Sequence, residues 1–258
     1  MRPEGGRPEH PVDVSIVVPL RDEAANVDLL LDELLPVLDR AGVGFEVVLV
    51  DDGSQDATYA RLAARHQQDG RLHVLRFTRN FGQSAAFTAG FAVARGRLIV
   101  TFDGDLQNDP TDIPRLVALT DTADIVCGWR RRRQDAWLTR HVPSVVANWL
   151  IGQVSGVALH DNGCSLKVFR AETVVPLQLE PGMHRYLPAI ASQLGSRVVE
   201  VEVHHRPRRF GHSKYGLSRT FRVIGDLARL RALMRRALSR AASAPPLYEV
   251  AETLPPRA

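Results

Sequence analysis

Apolar runs rich in β-branched residues alternate with helical patterns through the first half of the chain, and this alternation limits the fold more than any other feature. It is typical of parallel strands joined by helical crossovers. Leucines on one helical face fill the first gap, and residues 56–65 and 84–94 fill the next two. The predicted strands are Val14–Pro19, Phe45–Asp51, Leu72–Phe77, Leu98–Phe102 and Asp124–Gly128. The pattern predicts a doubly wound α/β unit, in which ligands bind beyond the carboxyl ends of the strands.

Charge is divided unevenly along the chain. Its 258 residues include 33 Lys and Arg against 29 Asp and Glu, a formal charge of only +4. Residues 1–120, however, carry 12 basic and 18 acidic side chains, whereas residues 121–258 carry 21 and 11. An acidic half is suited to metal ions, and a basic half to phosphates, nucleic acid or a membrane surface. Only two of the basic residues are lysines, Lys167 in CSLK and Lys214 in GHSK, and a flexible ammonium group in such a motif would suit a mobile phosphate ligand, although with two lysines their position could be coincidence.

The second half of the chain and both termini are less regular. A strand is predicted at Cys164–Phe169, a helix at about 185–194 and an alternating strand at Arg197–His205. Residues 217–242 have apolar side chains every three or four positions with arginines between them, which predicts a basic amphipathic helix. We expect a folded domain at residues 13–216, and disorder in the polar, proline-containing segments 1–12 and 243–258.

The sequence indicates neither export nor a membrane span. The N-terminus lacks the apolar region of a secretory signal, so we expect a cytoplasmic protein. Cys127 and Cys164 form no CxxC pair and are expected to be small core residues. The uncharged stretch His141–His160 contains a proline, an asparagine and two glycines. We therefore interpret it as a buried or interfacial helix, and we predict no transmembrane helix.

The segment TFDGDLQNDP, after the fourth strand, is the most informative one for chemistry. Asp103 and Asp105 flank a glycine, so both carboxylates can point to the same side of an extended turn. Such hard oxygen ligands, with Gln107 as a further one, suit Mg²⁺ or Mn²⁺ that shares the oxygens of a diphosphate. A lone Asp-x-Asp is more often a solvated turn. Here acidic residues also follow two other strands, in RDE and DDGS, which favours a ligand site.

Together these motifs make the chain similar to the glycosyltransferases of family 2, which have the GT-A fold. More narrowly, it resembles the dolichol-phosphate mannose synthase and polyprenyl-phosphate glycosyltransferase group. The resemblance covers about Val14 to Tyr215 and rests on VSIVVPLRDEAAN, VLVDDGSQD, RNFGQSAAFTAG, DGDLQNDP, GWR, DNGCSLKVFR and RRFGHSKY, in this order. It implies an α/β fold with a Rossmann-like, mostly parallel sheet flanked by helices. The C-terminal amphipathic helix would then lie at a lipid interface.

The resemblance implies a donor site and a cation site at the carboxyl edge of the sheet. The residues that would hold the nucleotide-sugar are Pro19, Glu23, Asp51, Asp52, Asn80, Gln83, Asp103, Gln107 and Lys214. Those that would hold Mg²⁺ or Mn²⁺ are Asp103, Asp105 and Gln107. Asn80 and Gln83 taken singly also fit an ordinary strand-to-helix turn. This chain has Asp22 where relatives often have asparagine, which leaves the identity of the base open.

Chemistry favours a phosphate as the acceptor. A phosphate monoester is already anionic near neutral pH, whereas a sugar hydroxyl needs a general base before it attacks the anomeric carbon. Arginine suits a phosphate because its planar guanidinium matches the phosphate oxygens. The resemblance assigns the acceptor phosphate to Arg130, Arg140 and Ser144. The catalytic set that it implies is Asp105, Arg130, Arg208 and Lys214, of which the last two would offset charge on the leaving diphosphate.

These observations lead to the interpretation of an inverting transferase that acts on a polyprenyl or dolichyl phosphate. The expected donors are GDP-mannose and UDP-glucose, and the protein is expected to be peripheral on the inner face of the cell membrane. A family 2 enzyme acting on a saccharide hydroxyl is an alternative, for which Asp161 is the candidate base. An arginine-rich nucleic-acid-binding protein is a weaker one, because it leaves the acidic motifs unexplained. His204 and His205 are interpreted as structural, since neighbours on a strand point to opposite faces.

Overall fold

A mixed β-sheet forms the centre of the fold in the computed structural model, which describes residues 10–131, 152, 156–207 and 245–257. Within these residues the sheet has eight strands in the order β7-β5-β6-β4-β1-β2-β3-β8. The strands are β1 (Val12–Leu20), β2 (Phe45–Asp51), β3 (Leu72–Phe77), β4 (Gly96–Thr101), β5 (Ile125–Trp129), β6 (Lys167–Arg170), β7 (Val198–Glu202) and β8 (Val250–Leu254). The inner strands are continuous apolar runs because both of their faces are covered.

Most neighbouring strands run parallel, as predicted. β4, β1, β2 and β3 form a parallel block, and β5 pairs in parallel with β7. β6 lies antiparallel between β4 and β5, and β8 runs antiparallel along β3. Because β1 to β4 point the same way, their carboxyl ends meet at one edge of the sheet. The loops that follow these four strands therefore lie side by side.

Helices cover both faces of the sheet, which confirms the predicted α/β layering. They are α1 (Ala24–Ala41), α2 (Thr58–Gln68), α3 (Gln83–Val93), α4 (Ile113–Ala118), α5 (Ala171–Val174) and α6 (Leu187–Gln193). Leucines of α1 share one hydrophobic core with Ile16 and Leu49 of the sheet. Apolar residues of α3 and α6 share the opposite core with Val17 and Val48. Neighbouring strand residues thus face different cores, as the pleat requires.

The C-terminal residues correct one prediction. The composition of residues 243–258 predicts disorder, but β8 lies within this segment and pairs with β3. Tyr248 stacks on Phe77 with ring centroids 5.2 Å apart, and Arg257 donates to two carbonyl oxygens near the end of α2. The prediction fails because the open edge of β3 supplies backbone partners that local composition does not reveal.

The remaining boundaries differ by a few residues from the predicted ones. β1 begins at Val12, inside the segment predicted to be disordered. The predicted helix at 185–194 is a 3₁₀ turn, Met183–Tyr186, followed by α6. Both the predicted basic helix at 217–242 and most of the uncharged stretch His141–His160 lie outside the described residues. In the part of the chain that the structure describes, no helix is long and apolar enough to cross a bilayer.

Candidate active site

Asp51 ends β2 with its carboxylate fully buried at the carboxyl edge of the sheet. Its Oδ1 accepts a hydrogen bond from the backbone N–H of Ser54 at 3.0 Å. Its Oδ2 is buried and accepts none from a described residue, and the nearest cation is the Arg76 Nε at 4.0 Å. Burial raises the pKa of Asp51 above its ordinary value, against the effect of the Ser54 bonds. A buried oxygen of this kind is suited to a ligand that brings its own donor.

Asp52, the next residue, faces the turn between β3 and α3. Its carboxylate accepts from the backbone N–H groups of Phe81 at 2.7 Å and Gly82 at 3.0 Å, and from the Asn80 amide at 3.0 Å. Burial raises the pKa of Asp52, and the backbone bonds partly offset this rise. Asp52 and Asn80 are predicted to contact the donor, but their contacts in the described residues hold each other and this turn. The pair therefore holds the turn that leads into α3.

The same turn requires a glycine in the loop after β2. Gly53 has a φ of +67°, and a Cβ at this position would lie 2.3 Å from the Arg79 carbonyl carbon. Only a residue without a side chain lets these two loops pack so closely. The DDGS motif is therefore explained in part by packing.

Several hydrogen bonds tie the loop after β1 to the residues that follow β2. The Asp22 N–H donates to Ser54 Oγ at 2.9 Å, and the Gln55 N–H donates to Asp22 Oδ1 at 2.8 Å. The Glu23 N–H donates to Thr58 Oγ1 at 2.8 Å. Asp22 thus braces this loop. Pro19 lies at the end of β1 beside it, so both Pro19 and Glu23 are at the predicted edge.

The DGDLQ loop after β4 brings its two carboxylates to this edge as well. Asp103 Oδ1 accepts from the Gln83 amide at 2.8 Å, so the predicted donor residue Gln83 orients Asp103. Asp105 Oδ1 accepts from the Gln107 N–H at 3.2 Å. Leu106, between Asp105 and Gln107, is buried, and its φ of +62° is an unfavourable left-handed conformation for leucine. Its side chain anchors the loop in the core, whereas Asp105 and Gln107 on either side are only partly buried.

The donor set of this loop fits a divalent cation. Asp103, Asp105 and Gln107 offer two carboxylates and one amide oxygen, all hard ligands that suit Mg²⁺ or Mn²⁺. The amide nitrogen of Gln107 donates to the Arg206 carbonyl oxygen at 3.4 Å, which leaves Gln107 Oε1 for a ligand. Among the described residues, no group of three or more His, Cys, Asp or Glu side chains forms a full metal shell. A cation bound here would share its shell with water or a diphosphate.

Arg130, beyond β5, is almost fully engaged with Asp161. Its Nε and Nη2 donate to the two carboxylate oxygens at 2.7 and 2.9 Å, and both side chains are largely buried. Burial lowers the pKa of Arg130, but Asp161, with a smaller contribution from Asp103, raises it more, so the net shift is upward. Nη1 makes no hydrogen bond within the described residues. Only this edge of the guanidinium is left for the predicted acceptor phosphate.

Lys167 does not have the role that its flexible ammonium group suggested. The residue is buried on β6, and its ammonium group donates to the carbonyl oxygens of Asn162 and Cys164. It therefore stabilises the turn that precedes the strand and does not reach a diphosphate. The other predicted site residues, Arg140, Ser144, Arg208 and Lys214, lie outside the described residues.

Two residues that the sequence did not single out support these loops. Glu200 on β7 accepts from the backbone N–H groups of His160 and Asp161, at 2.9 and 2.8 Å, and so holds Asp161 for Arg130. Arg206 contacts the DGDLQ loop. A glutamate at an inward position of a predicted strand was a signal for Glu200. His204 contacts Asp112 and His205 forms a bridge with Asn108, in keeping with structural roles.

The sheet and its acidic edge define a protein of the GT-A class. The family model for glycosyl transferase family 2 matches residues 15–173, and the chain belongs to this family. It is 44% identical over 233 residues to the dodecaprenyl-phosphate galacturonate synthase of Rhizobium johnstonii. The aligned residues make up 88% of this chain and 69% of that protein. It is 36% identical over 216 residues to the undecaprenyl-phosphate 4-deoxy-4-formamido-L-arabinose transferase of Aeromonas hydrophila, covering 83% and 66%. The chain thus spans about two thirds of the length of these relatives.

Solved structures of lower identity share the fold. One is glucosyl-3-phosphoglycerate synthase from Mycobacterium tuberculosis in complex with Mn²⁺, UDP and glucosyl-3-phosphoglycerate, with a TM-score of 0.63 and 19% identity over 95% of this chain and 91% of that one. Another is mannosyl-3-phosphoglycerate synthase from Rubrobacter xylanophilus, with a TM-score of 0.68 and 18% identity over 95% and 89%. These similarities confirm the GT-A architecture.

Proposed function

We propose that this chain transfers a sugar from a nucleoside-diphosphate sugar to a polyprenyl phosphate, with inversion at the anomeric carbon. The observation that carries the proposal is the 44% identity, over 88% of the chain, to a relative named for a dodecaprenyl-phosphate product. A second relative, at 36% identity, is named as an undecaprenyl-phosphate transferase. The two names differ in the sugar and agree on a polyprenyl phosphate.

We take galacturonate as the first sugar to test. Neither relative is named for mannose or glucose, the two sugars expected from the sequence. Galacturonate belongs to the relative with the higher identity, and 4-deoxy-4-formamido-L-arabinose to the other. The nucleotide base of the donor is to be identified by comparing UDP sugars and GDP sugars in the same assay.

The donor nucleotide would lie over the carboxyl ends of β1, β2 and β4. Asp51 supports this position because its buried Oδ2 lacks a hydrogen-bond donor in the described structure, and a hydroxyl or N–H of the nucleotide would supply one. Pro19 and Glu23 border the same edge from the loop after β1. Asp52 and Asn80 would act indirectly, by holding the turn that starts α3.

Asp103, Asp105 and Gln107 would hold a divalent cation against the diphosphate of the donor. Mg²⁺ or Mn²⁺ bound there would supply positive charge that stabilises the leaving diphosphate. Gln83 keeps Asp103 oriented, and the backbone of Gln107 keeps Asp105 oriented. Arg208 and Lys214 are proposed to add positive charge at the same group.

The acceptor phosphate would approach Arg130 at Nη1, the side that Asp161 does not occupy. Since Asp161 balances the charge of Arg130, Arg130 would orient the phosphate more than attract it. Arg140 and Ser144 are proposed to provide the remaining contacts. An ionised phosphate needs no base, and attack on the face of the sugar opposite the diphosphate gives inversion.

We also propose that the protein works at the cytoplasmic surface of a membrane, because a polyprenyl phosphate resides in a bilayer. The predicted basic helix at 217–242 is suited to anionic head groups. Binding of the protein to vesicles with and without anionic lipid, before and after removal of residues 217–242, tests this part. Equal binding in all four cases would contradict it.

The test of the function is a transfer assay with purified protein, Mn²⁺ or Mg²⁺, and labelled UDP or GDP sugars. Dodecaprenyl and undecaprenyl phosphate are compared with water-soluble saccharides as acceptors. Label should move into the organic phase only with the lipid phosphates. Asp105→Asn should abolish this transfer, whereas Asp32→Asn, which changes an exposed carboxylate on α1, should not. Transfer to saccharides alone would overturn the proposal.

The saccharide-hydroxyl alternative finds less support in the site. It needs a carboxylate that takes up a proton, and Asp161 was the candidate. Both oxygens of Asp161 accept hydrogen bonds from the Arg130 guanidinium. A carboxylate bound in this way is poorly suited to act as a general base.

A further inference from the structure

Arg206 joins two distant parts of the chain at the side of the DGDLQ loop. Its Nη1 contacts Glu33 Oε2 on α1 at 2.5 Å, and its Nη2 contacts Asp109 Oδ2 at 2.7 Å. Asp109 lies two residues beyond Gln107, and its other oxygen accepts from the N–H and hydroxyl of Thr111. The guanidinium therefore holds the segment after the loop against α1 by two charge-assisted contacts.

The backbone of Arg206 contacts the loop itself. The Arg206 N–H donates to the Gln107 carbonyl oxygen at 2.8 Å, and the Gln107 amide nitrogen donates to the Arg206 carbonyl oxygen at 3.4 Å. The next pair along, Asn108 and His205, forms an antiparallel bridge. These contacts fix both the backbone and the side-chain amide of Gln107. With its nitrogen bound to Arg206, the amide presents its oxygen to the cation site.

The loop needs such support because its own conformation is unfavourable. Leu106 has a φ of +62°, which a leucine rarely adopts. Conformations of this kind persist where the surrounding structure holds them. The Leu106 side chain anchors one side of the loop in the core, and Arg206 holds the other side.

We propose that Arg206 is a positioning residue for the cation site, acting through Gln107. This inference rests on the proposed role of Asp105 and Gln107 in binding a divalent cation. The clamp of Glu33, Arg206 and Asp109 sets the place of the Arg206 backbone, and the backbone sets the place and orientation of the Gln107 amide. Loss of the guanidinium should thus weaken cation binding although Arg206 itself does not touch the cation.

A matched control exists on the neighbouring helix pair. Arg65 on α2 also contacts two carboxylates of α1, Asp32 at 2.7 Å and Asp28 at 3.7 Å. It resembles Arg206 in charge and in linking α1 to another part of the fold. Within the described residues Arg65 makes no hydrogen bond or ion pair with the DGDLQ loop, so Arg65→Met should alter stability without altering cation binding.

The test measures Mn²⁺ binding in the presence of UDP by the electron paramagnetic resonance signal of free Mn²⁺. Arg206→Met should raise the dissociation constant for Mn²⁺ roughly tenfold, the lower end of the usual effect of a residue that supports a ligand. Arg206→Lys should be intermediate, because an ammonium group cannot span both carboxylates as a guanidinium does. Arg65→Met should bind Mn²⁺ as the unaltered chain does. Melting temperatures of all variants show which are folded.

A double-mutant cycle separates action through Gln107 from a general loss of structure. If Arg206 acts through Gln107, then Arg206→Met should have little further effect on Mn²⁺ binding in a Gln107→Ala background. Additive effects, or an unchanged dissociation constant in folded Arg206→Met, would overturn the inference. Equal Mn²⁺ binding by the unaltered chain and by Asp105→Asn would instead overturn the proposed cation site. The two failures are therefore distinguishable.

Discussion

Replacement of Arg130 by methionine should destabilise the protein strongly, because it removes the guanidinium that pairs with the buried Asp161 carboxylate. The Arg130 and Asp161 side chains are only 12% and 8% exposed, and two hydrogen bonds of 2.7 and 2.9 Å join them. Breaking a buried pair of this kind costs about 3–5 kcal/mol. In a chain of this size, about 1 kcal/mol corresponds to roughly 2–4 °C. We therefore expect a melting temperature about 10 °C lower, measured by calorimetry.

The double variant Arg130→Met with Asp161→Asn separates stability from function. The asparagine removes the buried charge, so the double variant should recover most of the lost stability. It should still fail to transfer sugar to a polyprenyl phosphate, since Nη1 is absent. A change below about 2 °C in the single variant would refute the energetic argument. A stable double variant with full transfer would refute the role of Arg130 in the acceptor site.

Three further predictions follow from burial and strand pairing. Because the pKa of Asp51 is raised in the folded protein, its contribution to stability is present below pH 3.8 and is lost as pH rises through the pKa of the folded state. Asp51→Asn should therefore raise the urea midpoint at pH 7 but not below pH 3.8, and it should weaken nucleotide binding. Removal of residues 245–258 should uncover the edge of β3 and cause aggregation, measured by light scattering. Burial raises the pKa of Cys127 to about 12 and of Cys164 to about 11, so neither thiol should react with a disulfide reagent at pH 8 until the protein unfolds.

Each of these has an outcome that contradicts it. A lower urea midpoint for Asp51→Asn at pH 7 would show that the carboxylate stabilises the fold. A truncated chain that stays monomeric with an unchanged melting temperature would show that β8 does not protect the edge. Rapid modification of either thiol in the folded protein would show that the core around β5 and β6 opens readily.

The parallel part of the sheet could be predicted because each inner strand is a continuous apolar run. β2 and β3 begin and end at the predicted residues. β8 could not be predicted, because Val250–Leu254 is short, mostly exposed and lacks a strong strand pattern. Its conformation depends on the edge of β3, which is far away in sequence. β6 likewise takes its antiparallel direction from neighbours on both sides.

The edge that carries the site was predictable, but the division of tasks within it was not. Asp51 and Asp52 are adjacent in sequence, yet one ends a strand in the core and the other turns toward the start of α3. Arg130 was recognisable as a motif residue, but its partner Asp161 lies 31 residues away. Such pairings depend on tertiary packing, which a single sequence does not specify locally.

The two products of one turnover show directly whether a sugar alone is transferred to the polyprenyl phosphate. Mass spectrometry of the lipid extract should show the polyprenol with one phosphate and one sugar, and the aqueous phase should contain an equal amount of nucleoside diphosphate. This result follows if the acceptor phosphate attacks the anomeric carbon. A lipid with two phosphates and release of a nucleoside monophosphate would mean that a sugar phosphate is transferred, and would contradict the account.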